Sequence, residues 1–229
     1  MVLKSYYPLN ESSGSTAYDH SGNENHGAIN AGALGQPSVA GSTGLKCTSS
    51  LEYVALPWYF DSVRSHSLTV NLWFKRTSTT TSQRRRIVSH DASEYYRMAV
   101  DNGDIEWYGR ESSSTGQRIY SPNSVPVDEW VMWTGIIDSD KGELRLYKNG
   151  EQVSSTSGSY STWGSGITRY GFLMDGSEAT NFNGSRNGDY ARGVLSEVRY
   201  YYRPLTTSEI QYLYSVSQRG LQTTSKKSS

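Results

Sequence analysis

The sequence predicts an all-β protein, a two-sheet antiparallel sandwich with one short helix near its C-terminus. Three observations carry this. Aromatic residues are dense, with 18 Tyr and 6 Trp in 229 residues, and with Thr and Val they suit a pleated, half-buried surface. Glycine is common at 22 and proline scarce at 6, which suits many turns between uninterrupted strands. Short apolar runs recur between turn pairs, the spacing of a sandwich. The length fits a single domain of this class.

Taken in order, Leu3–Leu9 reads as a first strand and Asn10–Asn25 as a polar loop. Leu51–Leu56 is a short strand. Ser67–Arg76 alternates, with Leu68, Val70, Leu72 and Phe74 on one face. Arg85–His90 and Tyr95–Val100 follow. Asn102-Gly103 sets a hairpin, because both positions tolerate positive φ, and Ile105–Gly109 returns. Glu129–Asp138 and Gly142–Tyr147 form a second hairpin, and Asn149-Gly150 turns the chain into Gln152-Val153. Ile167–Met174 and Gly193–Tyr202 complete the sheets. Thr206 and Glu209 form a capping box, with Ile210, Leu213 and Tyr214 at helical spacing behind it, so a helix is expected over Thr207–Tyr214. The domain is expected over residues 1–216 and a flexible tail over 217–229.

The charge balance is neutral, 22 basic against 22 acidic residues, which gives no nucleic-acid stripe. A single cysteine, Cys47, excludes an internal disulfide. No apolar run is long enough to span a membrane. The N-terminal stretch lacks the apolar segment of a secretory leader, which leaves a cytoplasmic chain, a mature or trimmed fragment, or a chain exported without a signal; the expected location is extracellular or on a virion surface, with no signal peptide in this chain.

Three segments carry a family resemblance. Ser5–Ile29 passes from an aromatic strand through a Gly-containing loop to Asp19-His20-Ser21-Gly22-Asn23, with Gly27 beyond. Asp128–Val153 is a hairpin opened by Trp130 and closed by Leu146-Tyr147-Lys148-Asn149-Gly150. Gly193–Tyr214 is a strand followed by a short helix. In this order they resemble the laminin-G-like jelly rolls of the concanavalin A-like lectin/glucanase superfamily. The resemblance implies a concanavalin A-like jelly roll with its first and last strands adjacent. Function stays open among lectins, adhesion modules, spacers and hydrolases.

The resemblance also implies a structural calcium between the early loop and the last strand. Oxygens of Asp19, Ser21, Asn23, Asn25 and the carbonyls near His26 would suit it. Where such relatives offer an Asp, this chain has Ser196 followed by Glu197, which leaves Glu197 as the remaining acidic ligand. The alternative is an Asx-rich turn held by Asp19 alone.

A glycosidase of this superfamily would carry Glu-x-Asp-x-x-Glu on one strand, so that two carboxylates flank the scissile bond. Glu106–Glu111 comes closest and lacks the central acid. Asp128 and Glu129 are adjacent and would face opposite ways. The sequence therefore reads as a non-enzyme, with a glycoside hydrolase as the remote alternative. Sugar recognition needs exposed rings beside polar groups. The candidates are Trp107 and Tyr108 with Arg110, Tyr120, and the long loop Asp175–Asp189 through Asp175, Asn181 and Asn183. A sandwich must bury about half of its rings. Arg84-Arg85-Arg86 reads either as a grip for an anionic sugar or phosphate, or as a solvated strand edge. The predicted function is a non-catalytic recognition or adhesion domain binding a glycan or surface glycoconjugate, displayed on a virus particle. The alternative is a structural decoration, spike or fibre component, in contact with other virion proteins or self-associated as a homo-oligomer.

Overall fold

In a computed structural model, which describes residues 3–60, 67–77, 84–91, 93–111, 115–160, 163–164 and 166–225, the alternating runs form two eight-stranded antiparallel sheets. In chain order the strands are β1 Leu3–Tyr7, β2 Thr16–Ala17, β3 Gly27–Ile29, β4 Ala33–Pro37, β5 Thr43–Cys47, β6 Val54–Phe60, β7 Leu68–Arg76 and β8 Arg85–His90. They continue as β9 Tyr96–Asp101, β10 Asp104–Arg110, β11 Gly116–Ser121, β12 Trp130–Asp138, β13 Glu143–Lys148, β14 Glu151–Ser157, β15 Arg169–Leu173 and β16 Gly193–Tyr201, before helix α1, Thr207–Ser225. Sheet A has the order β14-β13-β12-β7-β16-β5-β4, with β1 also on β16, and sheet B the order β11-β10-β9-β8-β15-β6-β3-β2. Of the strands without a sequence signal, β2 and β3 have two and three residues and β4 has no buried residue; β5, inside sheet A with Leu45 and Cys47 buried, is the exception.

The inner faces meet as alternation requires. Leu68, Val70, Leu72 and Phe74 of β7 pack in one core with Met98, Trp107 and Leu173 of sheet B. Asn102 and Gly103, at φ 53° and 90°, make the predicted two-residue hairpin and set Asp101 opposite Asp104. His90 is wholly buried here, stacked on Trp58 at 4.2 Å with its Nδ1 against the Tyr96 hydroxyl. Burial pushes its pKa down to about 3.

The first and last strands are neighbours, and a bulge makes this possible. β16 pairs with β5 through Leu195, shifts register after Ser196, and pairs with β1 from Val198. Glu197 takes the bulge at φ 57°, and its N–H reaches the Pro8 carbonyl.

The outer face of sheet A is roofed by α1. The capping box is formed, with Glu209 N–H donating to Thr206 Oγ1 and Thr206 N–H to Glu209 Oε2. Arg203, with these donors, pulls the Glu209 carboxyl down to about 2. Ile210 and Leu205 pack with Trp73, Met132 and Ile136 in a second apolar cluster. The helix runs past the expected Tyr214. Trp73 stacks on Tyr214 and donates from Nε1 to Ser217 Oγ at 3.2 Å, so the tail expected from residue 217 starts as buried helix.

Candidate functional site

Hairpin register builds the outer face of sheet B. With Asp101 opposite Asp104, Arg97 must oppose Tyr108 and Ala99 must oppose Glu106, while β11 brings Arg118 beside Tyr108 and Tyr120 beside Glu106. All of these point away from the core, because their chain neighbours Met98, Trp107 and Ile119 point into it. Glu106 is wholly buried by its neighbours. Arg97 Nε donates to its Oε1 at 2.5 Å, Tyr120 Oη donates to its Oε2 at 2.8 Å, and Arg84 Nε lies 3.3 Å from the same oxygen. Burial pushes the carboxyl pKa up. Arg97, Tyr120 and Arg84 outweigh that and hold it below its ordinary value.

Tyr108 lies flat across β11. A side chain at Gly116 would meet its hydroxyl at 2.1 Å, so the glycine makes room for the ring. The Arg97 guanidinium sits over the ring at 4.6 Å and the exposed Arg118 at 5.8 Å. Such contacts stabilise by about 0.5–2 kcal/mol. The result is a paved surface on which Arg118 is exposed and Arg84, Arg110 and Tyr120 reach solvent.

The long loop between β15 and β16 walls this face on the other side. Ser177 Oγ donates to the Tyr170 carbonyl, and Ala179 covers Phe172 and Tyr53 in a small apolar cluster. Arg186 stacks on Tyr53 at 3.9 Å, and the Tyr53 hydroxyl donates to Asn183 Oδ1.

The sequence candidates divide accordingly. Trp107 is corrected: it has no exposed surface, and its Nε1 donates to the Ile136 carbonyl of sheet A, so it is a core residue and offers no ring to a ligand. Asp175 is corrected likewise. It is wholly buried and paired with Arg186 at 2.5 Å, which makes it the anchor of the loop. Burial raises its pKa. Tyr108, Arg110 and Tyr120 share the paved face. Asn181 and Asn183 are exposed on the loop that follows β15, itself three strands away from β10 in the sheet order, so the structure separates the two groups. Arg84, Arg97, Glu106 and Arg118 are the members that the sequence reading did not assemble. Their signal lay in the Asn-Gly turn, which fixes the pairing of Arg97 with Tyr108.

The proposed calcium ligands are drawn together but do not fit an ion. Asp19 Oδ1 accepts the N–H groups of Tyr6 and Ser21, at 2.8 and 2.9 Å. Its Oδ2 accepts Ser21 Oγ and Asn25 N–H, at 2.8 and 3.0 Å. These four donors occupy a carboxylate's four lone-pair sites. They outweigh burial and hold its pKa below the ordinary value. Asn23 and Asn25 spend their Nδ2 groups on the Lys4 carbonyl. Glu197 is taken by the Tyr6 hydroxyl and Arg199. Ser196 Oγ lies 3.2 and 3.1 Å from the carbonyls of Pro8 and Thr43 and bridges them, which ties the ends together with a hydroxyl.

No curated protein matches the chain. Among solved structures, the binding domain of Paraclostridial Mosquitocidal Protein 1 aligns with a TM-score of 0.71 at 14% identity, covering 93% of this chain and 52% of that one. The botulinum neurotoxin serotype D ligand binding domain in complex with N-acetylneuraminic acid aligns with a TM-score of 0.73 at 15% identity, covering 93% and 50%. The receptor binding domain of the botulinum neurotoxin C/D mosaic serotype gives 0.69 at 16%, covering 93% and 51%. The chain thus spans about half the length of these structures, and at such identities the likeness is one of fold. A family model described as the concanavalin A-like lectin/glucanases superfamily matches residues 49–211. That match covers most of both sheets and the start of α1, and the chain belongs to the concanavalin A-like lectin/glucanases superfamily.

Proposed function

We propose that this domain is a non-catalytic carbohydrate-recognition module acting through the outer face of sheet B. One observation carries the reading. The outer face of sheet A is closed by a helix, whereas that of sheet B is built from charged side chains locked in place around a buried Glu106. Burying an ion pair is seldom the stable choice, and holding an arginine–tyrosine surface rigid is useful for binding a polar ligand without ordering cost. Tyr120 and Arg84, with the exposed Arg118, present hydroxyl and guanidinium groups to sugar hydroxyls. Glu106 serves as their brace, its oxygens committed to Arg97, Tyr120 and Arg84, which speaks for binding over hydrolysis. A jelly roll of this shape also occurs in binding domains, one solved with N-acetylneuraminic acid.

The test is a glycan array probed with the wild-type chain and with Arg118→Ala. Binding that falls tenfold or more while the unfolding curve stays unchanged supports the reading. Binding that survives the substitution overturns this placement. A stable oligomer that binds no glycan would favour the assembly role.

A further inference from the structure

The Arg84-Arg85-Arg86 run enters a second cluster, at one end of the sandwich. The segment Asp189–Arg192 crosses there from sheet B to sheet A. Arg86 N–H donates to the Asp189 carbonyl on one side, and Thr77 N–H to the Arg192 carbonyl on the other. Tyr190 stands in the crossing between two guanidinium groups, Arg85 at 5.0 Å and Arg192 at 5.4 Å from its ring, and Arg192 Nη2 also donates to its hydroxyl at 3.0 Å. Arg76 follows Phe74 on the inward face of β7 and reaches towards Gly103 of sheet B.

Counter-charge is sparse around these cations and falls on Arg86. Among the described residues Arg76, Arg85 and Arg192 form no ion pair, and Arg86 has only Asp189, at 3.3 Å. Among the described residues, the Nε atoms of all four are shielded from solvent with no acceptor, as are Nη1 of Arg76 and of Arg86. Burial pulls the Arg76 pKa down with no acid to offset it. Guanidinium donors without acceptors are costly, and each of these residues keeps part of its surface in solvent.

We propose that this end of the sandwich binds an anion, and that the glycan recognised by the domain is acidic, carrying sulfate or carboxylate groups that dock between Arg85 and Arg192. The guanidinium fork matches both groups in bidentate geometry. The ligand class rests on the carbohydrate reading above. The anion site itself does not.

Titration calorimetry separates the two. The probes are a sulfated heparin-derived hexasaccharide against its desulfated form, and sialyllactose against lactose. The acidic member of at least one pair should bind ten times tighter or more, with a preference that shrinks as salt is added. Arg85→Gln and Arg192→Gln should each reduce that preference about tenfold, whereas Arg118→Ala should weaken acidic and neutral forms alike. Equal binding within both pairs overturns the acidic-ligand inference and leaves the carbohydrate reading standing. So does a preference unchanged in Arg85→Gln and Arg192→Gln. If no sugar binds, the carbohydrate reading fails and inorganic sulfate decides the site. A melting temperature that sulfate raises more in the wild type than in the double variant upholds it, and an equal rise overturns it.

Discussion

The two outer faces of the sandwich begin from the same alternation and end differently. On sheet A the outward residues are Trp73, Met132 and Ile136, and α1 buries them with Ile210 and Leu205. The outward residues of β9, β10 and β11 on sheet B are Arg97, Glu106, Tyr108, Arg118 and Tyr120, and they satisfy one another. One face gains stability by excluding water, the other is a fixed polar surface. Apolar burial contributes without regard to geometry, whereas a charge-paired surface holds only while each partner stays in place. The two faces should therefore fail differently when mutated.

The largest effect is expected beneath the polar face. Trp107→Ala empties the core under β10 and should cost about 3–5 kcal/mol, read by urea unfolding. Ile210→Ala, under the helix, should cost about 2–4 kcal/mol. A loss of glycan binding in Trp107→Ala without a loss of stability would return that ring to the site.

Glu106→Gln should come next, at about 1–3 kcal/mol, because it leaves Arg97 and Arg84 beside a neutral amide. Its distinguishing effect should be on binding, since Tyr120 and Arg97 lose their brace. If stability falls but affinity for glycan holds, the paved face is structural only.

Most of the fold could be read from the chain because alternation and turn chemistry are local. Ser67–Arg76 declared its inner face through Leu68, Val70, Leu72 and Phe74, and Asn102-Gly103 declared its hairpin. Strands such as β4 and β11 were silent because edge strands bury little and need no apolar run. The site was only half legible. Tyr108, Arg110 and Tyr120 stood out as polar-flanked residues, but Arg97 and Glu106 gain their meaning from each other across the hairpin. Trp107 misled because ring content alone does not say which face a ring takes, although its neighbours Ile105 and Tyr108 did carry that information.

Acid should separate interior from surface. His90 is buried neutral, with its folded pKa near 3 against 6.5 in the unfolded chain. Below pH 6.5 the unfolded state takes up a proton that the folded state refuses, so stability is full above that pH. It should fall by about 1.4 kcal/mol per pH unit towards 3. Glu106 acts lower. Its depressed value keeps its contribution intact above the unfolded carboxyl range and loses it only as pH drops through the folded value. Denaturant midpoints between pH 7 and 5 should thus decline in the wild type and flatten in His90→Gln. An unaltered slope in the variant would assign the loss to another histidine.

The smallest expected effect is that of calcium at the Asp19 loop, and its smallness is informative. An ion there would need carboxylate oxygens with free lone pairs, and Asp19 has given all of its own to Tyr6, Ser21 and Asn25. The Lys4 ammonium lies close enough for its charge to be felt by the same carboxylate. The work of joining the first loop to the last strand is done instead by Asp19, by Glu197 N–H and by Ser196 Oγ, all reaching the segment that carries Tyr6 and Pro8. Chelation with EDTA, or addition of millimolar calcium, should therefore leave the melting curve in place. Asp19→Ala should lower stability by about 1–3 kcal/mol in either condition, since it strands buried N–H donors. A calcium-dependent rise in melting temperature that vanishes in Asp19→Ala would show that the loop can open its hydrogen bonds to an ion. The serine at position 196 would then be a weak substitute for an acid, not a replacement for the metal.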